Sequence, residues 1–178
     1  MNDLHNRCLD TFPEWLRTLA PDATELSELL GSGLPDEARR YVAGGLNYLF
    51  KSLDLIPDGI EDLGYLDDAF VLRVAAKLAL QAPGAGETAV LSRLAGESAL
   101  VEELLGKDYA RLERYVRGLT RGAARGRTVD EILTDEGVRS AFLLELSSWA
   151  NGYSAPSFSR DEKNLIKLQS CLGAKLPA

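Results

Sequence analysis

The sequence predicts an all-α fold, a single multi-helix domain, and three observations carry that reading. Apolar residues recur at three- and four-residue steps in one segment after another. Nowhere does the alternation of a half-buried strand appear, and no internal repeat or low-complexity segment interrupts the chain. The segments are separated by proline, glycine and capping residues placed where helices stop and start. With 178 residues, 46% of them apolar and 26% charged, the chain is long enough to bury a core and too apolar for disorder.

In order, Phe12, Trp15, Leu16 and Leu19 predict a helix over Pro13 to Leu19, and a second runs from Ala23 to Leu30, ended by Gly31. After Pro35, a helix from Asp36 to Leu53 carries Val42, Leu46, Leu49 and Leu53 on one face. Gly44 and Gly45 sit in its middle, where glycine costs about 1 kcal/mol relative to alanine, so the pair is read as a place where another helix comes close. The apolar run through Leu80 predicts a buried helix from Asp68, stopped by Pro83 and the loop Gly84 to Gly86. Helical stretches are expected at Glu87 to Leu94 and Ala99 to Leu105, flanking Gly96, then at Tyr109 to Arg125 and Val138 to Trp149. Thr128 with Glu131, and Ser159 with Glu162, read as capping boxes, which place helix starts near Val129 and Arg160.

The stretch from Tyr48 to Asp68 is the most unusual in the chain, with six carboxylates set in an apolar frame. Pro57 disfavours α geometry at Ile56, so the preceding helix must stop and the chain must turn. Proline suits the first position of a new helix, which would put Asp58 and Glu61 at its positive end. Gly64 is expected to close that short piece in the left-handed region, and Asp67 and Asp68 to cap the next helix. The result is a central hairpin of helix, acidic turn and helix.

The succession Tyr48-Leu49, Asp54-Leu55-Ile56-Pro57-Asp58, Ile60 and Gly64-Tyr65-Leu66-Asp67-Asp68 resembles the signature of the YkvA-like family, a bacterial domain of unknown function. Ser52 and Glu61 stand where that pattern has proline. The likeness covers the region 40–80, and it implies a small helical domain with no established activity.

Two surfaces are candidates for function. Asp54, Asp58, Asp67 and Asp68 could converge if the turn brings the helix ends together, and ligands of oxygen alone suit magnesium, calcium or manganese rather than zinc. Such a centre could activate water or organise a phosphate. The bland alternative has each carboxylate capping a helix or bracing the turn, satisfied by the hydroxyls of Tyr48 and Tyr65 or by arginines. Separately, Lys107, Arg111, Arg114, Arg117, Arg121 and Arg125 would project as one stripe roughly 120° wide on a helix. That stripe is either a solvated face or a surface for anionic lipid or an acidic partner. A formal charge of −7 and the absence of interleaved aromatics count against nucleic acid.

Other chemistries find no footing. His5 is the single histidine and lies near the chain start, and Cys8 and Cys171 have no metal-ligand spacing. Without a signal-peptide pattern, these thiols are expected to stay reduced in the cytoplasm. No Gly-x-Ser-x-Gly elbow, phosphate loop or dinucleotide fingerprint occurs. No apolar run reaches the roughly 20 residues of a membrane span. Two readings of function follow: a non-enzymatic cytoplasmic interaction or scaffolding protein, self-associating or partner-binding and peripheral to the inner membrane, with no cofactor; or a divalent-metal-dependent hydrolase or phosphate-binding enzyme built on the aspartates.

Overall fold

The computed structural model describes residues 2–31, 33–52, 54–60 and 62–178. Its eight α-helices among these residues are α1 (Asp3–Glu28), α2 (Asp36–Tyr48), α3 (Leu66–Gln81), α4 (Ala89–Leu105), α5 (Tyr109–Gly118), α6 (Val129–Thr134), α7 (Glu136–Gly152) and α8 (Glu162–Lys175). A two-residue hairpin, β1 (Ala123–Ala124) and β2 (Arg127–Thr128), is the sole departure from a helical fold there. Helix α3 lies at the centre. It is apolar on every side, with Ala69, Phe70, Val71, Leu72, Val74, Ala75 and Ala76 all buried, the signature of a helix surrounded by others. It packs chiefly on α4 and α2, and also touches α1 and α5.

Gly45 sets the approach of α2 to α3. A methyl group there would lie 2.9 Å from the Ala75 side chain, closer than packed carbons allow, so the close-approach reading of the glycine pair holds. Gly44 meets the backbone of Leu119 in the same way, at 3.3 Å.

Several element boundaries differ from the expectation. The two short N-terminal helices are one, α1, which runs through Pro13 and Pro21. Each proline removes one backbone bond and crowds the preceding turn, yet the continuous buried face of Cys8, Phe12, Trp15, Leu16, Leu19, Ala23 and Leu26 outweighs that cost. The stretches on either side of Gly96 also fuse, into α4, because Val90, Leu94, Val101 and Leu104 keep one buried face through the glycine. In the opposite sense, the helix expected over Tyr109 to Arg125 stops at Gly118. A single 3-10 turn follows, and then the hairpin, whose loop residues Arg125 and Gly126 have φ of 50° and 76°, the pair of positive values that a two-residue turn needs. The Thr128–Glu131 capping box forms as expected. At α8, Asp161 is the cap instead of Ser159, whose hydroxyl and carbonyl accept from the Asn164 amide.

A buried arginine sits midway along α3. Arg73 is fully buried and stacks on the Trp15 ring, 4.1 Å from its centroid. Its guanidinium donates to Glu97 at 2.9 Å, to the Ala69 carbonyl at 3.0 Å and to Asp22 at 3.4 Å. Asp22 also accepts from Thr18 and from Arg93. Removing one partner of a buried ion pair strands the other in a medium that solvates it poorly. Arg73→Ala is therefore expected to lower stability by roughly 3–5 kcal/mol in urea unfolding, whereas removing the exposed partner of the Arg17–Glu14 pair should cost less than about 1 kcal/mol.

Candidate metal centre in the acidic turn

Helix α2 ends at Tyr48, and the chain leaves through a tight turn in which Lys51 N–H reaches the Tyr48 carbonyl. Leu55 and Ile56 then plug the core, with Pro57 exposed beside them. Among the described residues, no helix starts at Pro57. The described residues from Asp58 to Tyr65 form successive turns, closed by Gly64 N–H on the Ile60 carbonyl at 2.9 Å. Gly64 is required for a reason different from the expected one: its φ is not positive, but a methyl group on it would stand 2.1 Å from the Asp58 carbonyl oxygen. The two ends of the turn are thus in backbone contact, and Asp58 is held over the start of α3. The left-handed positions belong to Asp62 and Tyr65, with φ of 66° and 69°. Glu61 and Leu53 lie outside the described residues.

Tyr65, in the left-handed conformation, precedes α3, so Asp67 and Asp68 are not its caps. They lie inside its first turn, each 1% exposed. Tyr48 donates its hydroxyl proton to Asp67 Oδ2 at 2.5 Å and accepts from Leu55 N–H at 2.8 Å, while Ile56 N–H donates to the same Asp67 oxygen at 3.3 Å. Asp67 Oδ1, one oxygen each of Asp54 and Asp58, and both oxygens of Asp68 are buried with no hydrogen-bond partner among the described residues. Three of the four aspartates converge: Asp58, Asp67 and Asp68 each offer an oxygen within 4.8 Å of the other two. Asp54 stands beside this group and feels Asp67 and Asp58 electrostatically.

Among the described residues, neither bracing partner expected beyond Tyr48 takes part. The Tyr65 ring packs edge-on against Tyr153 at 5.2 Å, and Tyr48 against Tyr115 at 6.1 Å, so aromatic walls enclose the carboxylates. No arginine pairs with Asp54, Asp58, Asp67 or Asp68 among the described residues. Burial then governs the protons. It pushes Asp54 up to about 7, reinforced by Asp67 and Asp58 and opposed by Lys51. It raises Asp67 to about 6 against the pull of the Tyr48 and Ile56 donors, and lifts Asp68 far above the carboxylate range, aided by the neighbouring acids. Asp58 rises for the same reason, offset by its contact with Asp68. Burial first, then the Asp67 charge and hydrogen bond, keeps the Tyr48 hydroxyl protonated.

The cationic stripe does not form as one helix face. Lys107 lies in the 3-10 turn before α5, Arg111, Arg114 and Arg117 are on α5, Arg121 ends the next 3-10 turn and Arg125 tips the hairpin. Arg111 pairs with Asp108 and ties down the carbonyls of Leu176 and Pro177. Arg117 donates to Glu113 and to the Tyr41 hydroxyl, and Arg125 pairs with Glu145. Lys107, Arg114 and Arg121 are exposed and form no ion pair among the described residues.

Both cysteines are free thiols; burial raises the thiol of Cys8 to about 11. The His5 ring meets Glu162 of α8 at 2.5 Å. Arg73 is the polar residue that sequence reasoning passed over, because a lone arginine in an apolar run carries no signal of its partners Asp22, 51 residues away, and Glu97, 24 residues away.

Residues 38–73 match a family model described as a protein of unknown function (DUF1232). This segment contains most of α2, the whole acidic turn and the first half of α3, and so coincides with the YkvA-like pattern. No curated protein and no solved structure matches the chain. Among the described residues, no helix is long and apolar enough to cross a membrane.

Because these carboxyls hold protons more tightly in the folded state than in the unfolded chain, they contribute stability at low pH that is lost as pH rises through their folded values. In chelator, the thermal midpoint should fall between the ordinary carboxylate value of 3.8 and about 7, the window set by Asp54 and Asp67. Asp54→Asn should flatten that decline, as read by thermal scans across the same pH range.

Proposed function

We propose that the acidic turn is a centre for a hard divalent cation, magnesium, calcium or manganese, and that the protein's activity depends on it. Asp58, Asp67 and Asp68 supply the ligand oxygens, and Asp54 adds negative charge beside them. The observation that carries this reading is Asp68: it is 1% exposed and neither of its oxygens receives a hydrogen bond among the described residues, while two further carboxylates crowd it. Buried polar groups are ordinarily satisfied, and a buried carboxyl without a partner carries a desolvation cost that a bound cation would relieve. Oxygen-only donors match hard cations. A cation there can polarise a phosphoryl or carbonyl oxygen, or activate a water, which makes hydrolysis or phosphate binding the chemistry it supports best.

The test separates a ligand set from a bracing role. In chelator-treated protein, adding back one of the three ions should raise the thermal midpoint in proportion to the logarithm of its concentration, since the ion binds only the folded state. Asp68→Asn should abolish that rise and, by putting a neutral amide in place of an acid whose ionisation burial opposes, leave the ion-free protein at least as stable as the native chain. A rise that persists in the variant, or no rise with any ion, would remove the proposal.

A second reading rests on Lys107, Arg114 and Arg121, the exposed cations that no carboxylate neutralises among the described residues. They suit an anionic partner surface, with a membrane headgroup layer as the occupant considered, and the protein would then act as an interaction module. Flotation with anionic vesicles should show salt-sensitive binding that is lost on replacing Arg114 and Arg121 by glutamine; native protein that stays with the soluble fraction removes it.

A further inference from the structure

The acidic turn borders a cavity of about 570 Å³ lined by residues 49–52 of the turn after α2, by Asp58, and by residues 123–126 of the hairpin. Asp58 belongs to both places: it is one of the three converging carboxylates and it lines the cavity. The other charged residues of the lining are of opposite sign. Lys51 and Arg125 line the cavity. Arg127 lies just behind, its guanidinium over the rings of Phe50 and Phe142, with Nε and Nη2 buried and unpartnered among the described residues. Arg125 and Arg127 share a single carboxylate, Glu145, so the hairpin side carries an excess of positive charge. Arg125 also holds a left-handed backbone, φ 50°, which is uncommon for a long side chain. That conformation sets its guanidinium 5.2 Å from the Phe50 ring centroid.

We infer that this cavity takes a small phosphate-bearing molecule, whose oxygens complete the coordination of the cation at Asp58, Asp67 and Asp68 and pair with Lys51 and Arg125. The inference rests on the cation reading above and adds the ligand class to it. One carboxylate on one wall, Asp58, and cations on the other supply the two contacts that a bound phosphate needs, a metal ion held at that carboxylate and charged donors. The volume falls within the range of small-molecule pockets and is far larger than a lone ion requires.

Manganese serves as the probe for both steps. Its binding to the protein is read by loss of the free-ion electron-spin signal, and its contact with inorganic phosphate by broadening of the phosphorus resonance beyond that given by the free ion. The expected result is manganese binding together with saturable broadening. Lys51→Met combined with Arg125→Gln should retain manganese and weaken phosphate binding by roughly tenfold or more, whereas Lys51→Arg should keep it. Thermal scans of the double variant check that it remains folded. Manganese bound without the phosphate effect, or a phosphate effect unchanged in the folded double variant, overturns the inference and leaves the cation centre standing. Absence of manganese binding removes both. Sedimentation with phosphatidic acid vesicles separates a lipid-borne phosphate from a soluble one: binding to vesicles without broadening by inorganic phosphate overturns the assignment to a small molecule.

Discussion

The hydrogen bond from Tyr48 to Asp67 is the contact on which the centre of this protein depends. It joins the last residue of α2 to the first turn of α3, and the same hydroxyl accepts from Leu55 N–H. One phenol therefore fixes the exit of one helix, the entry of the next and the path of the chain between them. Its proton is secure, because burial and the adjacent carboxylate both oppose ionisation. Asp67 is anchored through one oxygen, which leaves the other buried without a donor among the described residues.

From that anchor follows an uneven distribution of satisfied and unsatisfied charge. Around Arg73 the protein compensates a buried cation fully, with Asp22, Glu97, a main-chain carbonyl and the Trp15 ring. Around Asp68, on the same helix and one and a half turns earlier, no comparable compensation is present among the described residues. A fold that compensates one buried ionisable group so thoroughly, and leaves another without a partner among the described residues, concentrates its electrostatic cost at one place. Such concentration is expected of a site tuned for binding rather than of a packing residue.

Much of this was legible in the sequence, for reasons that can be named. Gly44 and Gly45 signalled close approach because glycine inside an amphipathic helix has a local cost and no local benefit. The Thr128–Glu131 cap was readable because both partners are three residues apart. Local rules failed where distant contacts decide. Pro13 and Pro21 looked like helix ends, but the buried stripe of α1 carries the helix through them. Asp67 and Asp68 looked like caps, yet Tyr65 takes the flanking position in a left-handed conformation and draws both acids inside. Gly64 was marked as special on conformational grounds, although its role is to let the Asp58 carbonyl pass at a distance no side chain would tolerate. The end of α5 was missed because arginine spacing continued smoothly while Gly122 and Gly126 were the true punctuation.

The central helix has a consequence for how the matched segment should be regarded. Residues 38–73 hold the acidic turn and the close contact of α2 with α3, but α3 buries side chains on its remaining faces against α4, α1 and α5, all of which lie outside that segment. Excised alone, the segment would present Phe70, Val71 and Arg73 to water and lose the walls that make the carboxylates buried. The motif is accordingly a keystone and not a portable unit: its chemistry exists only in the company of helices that the motif does not encode.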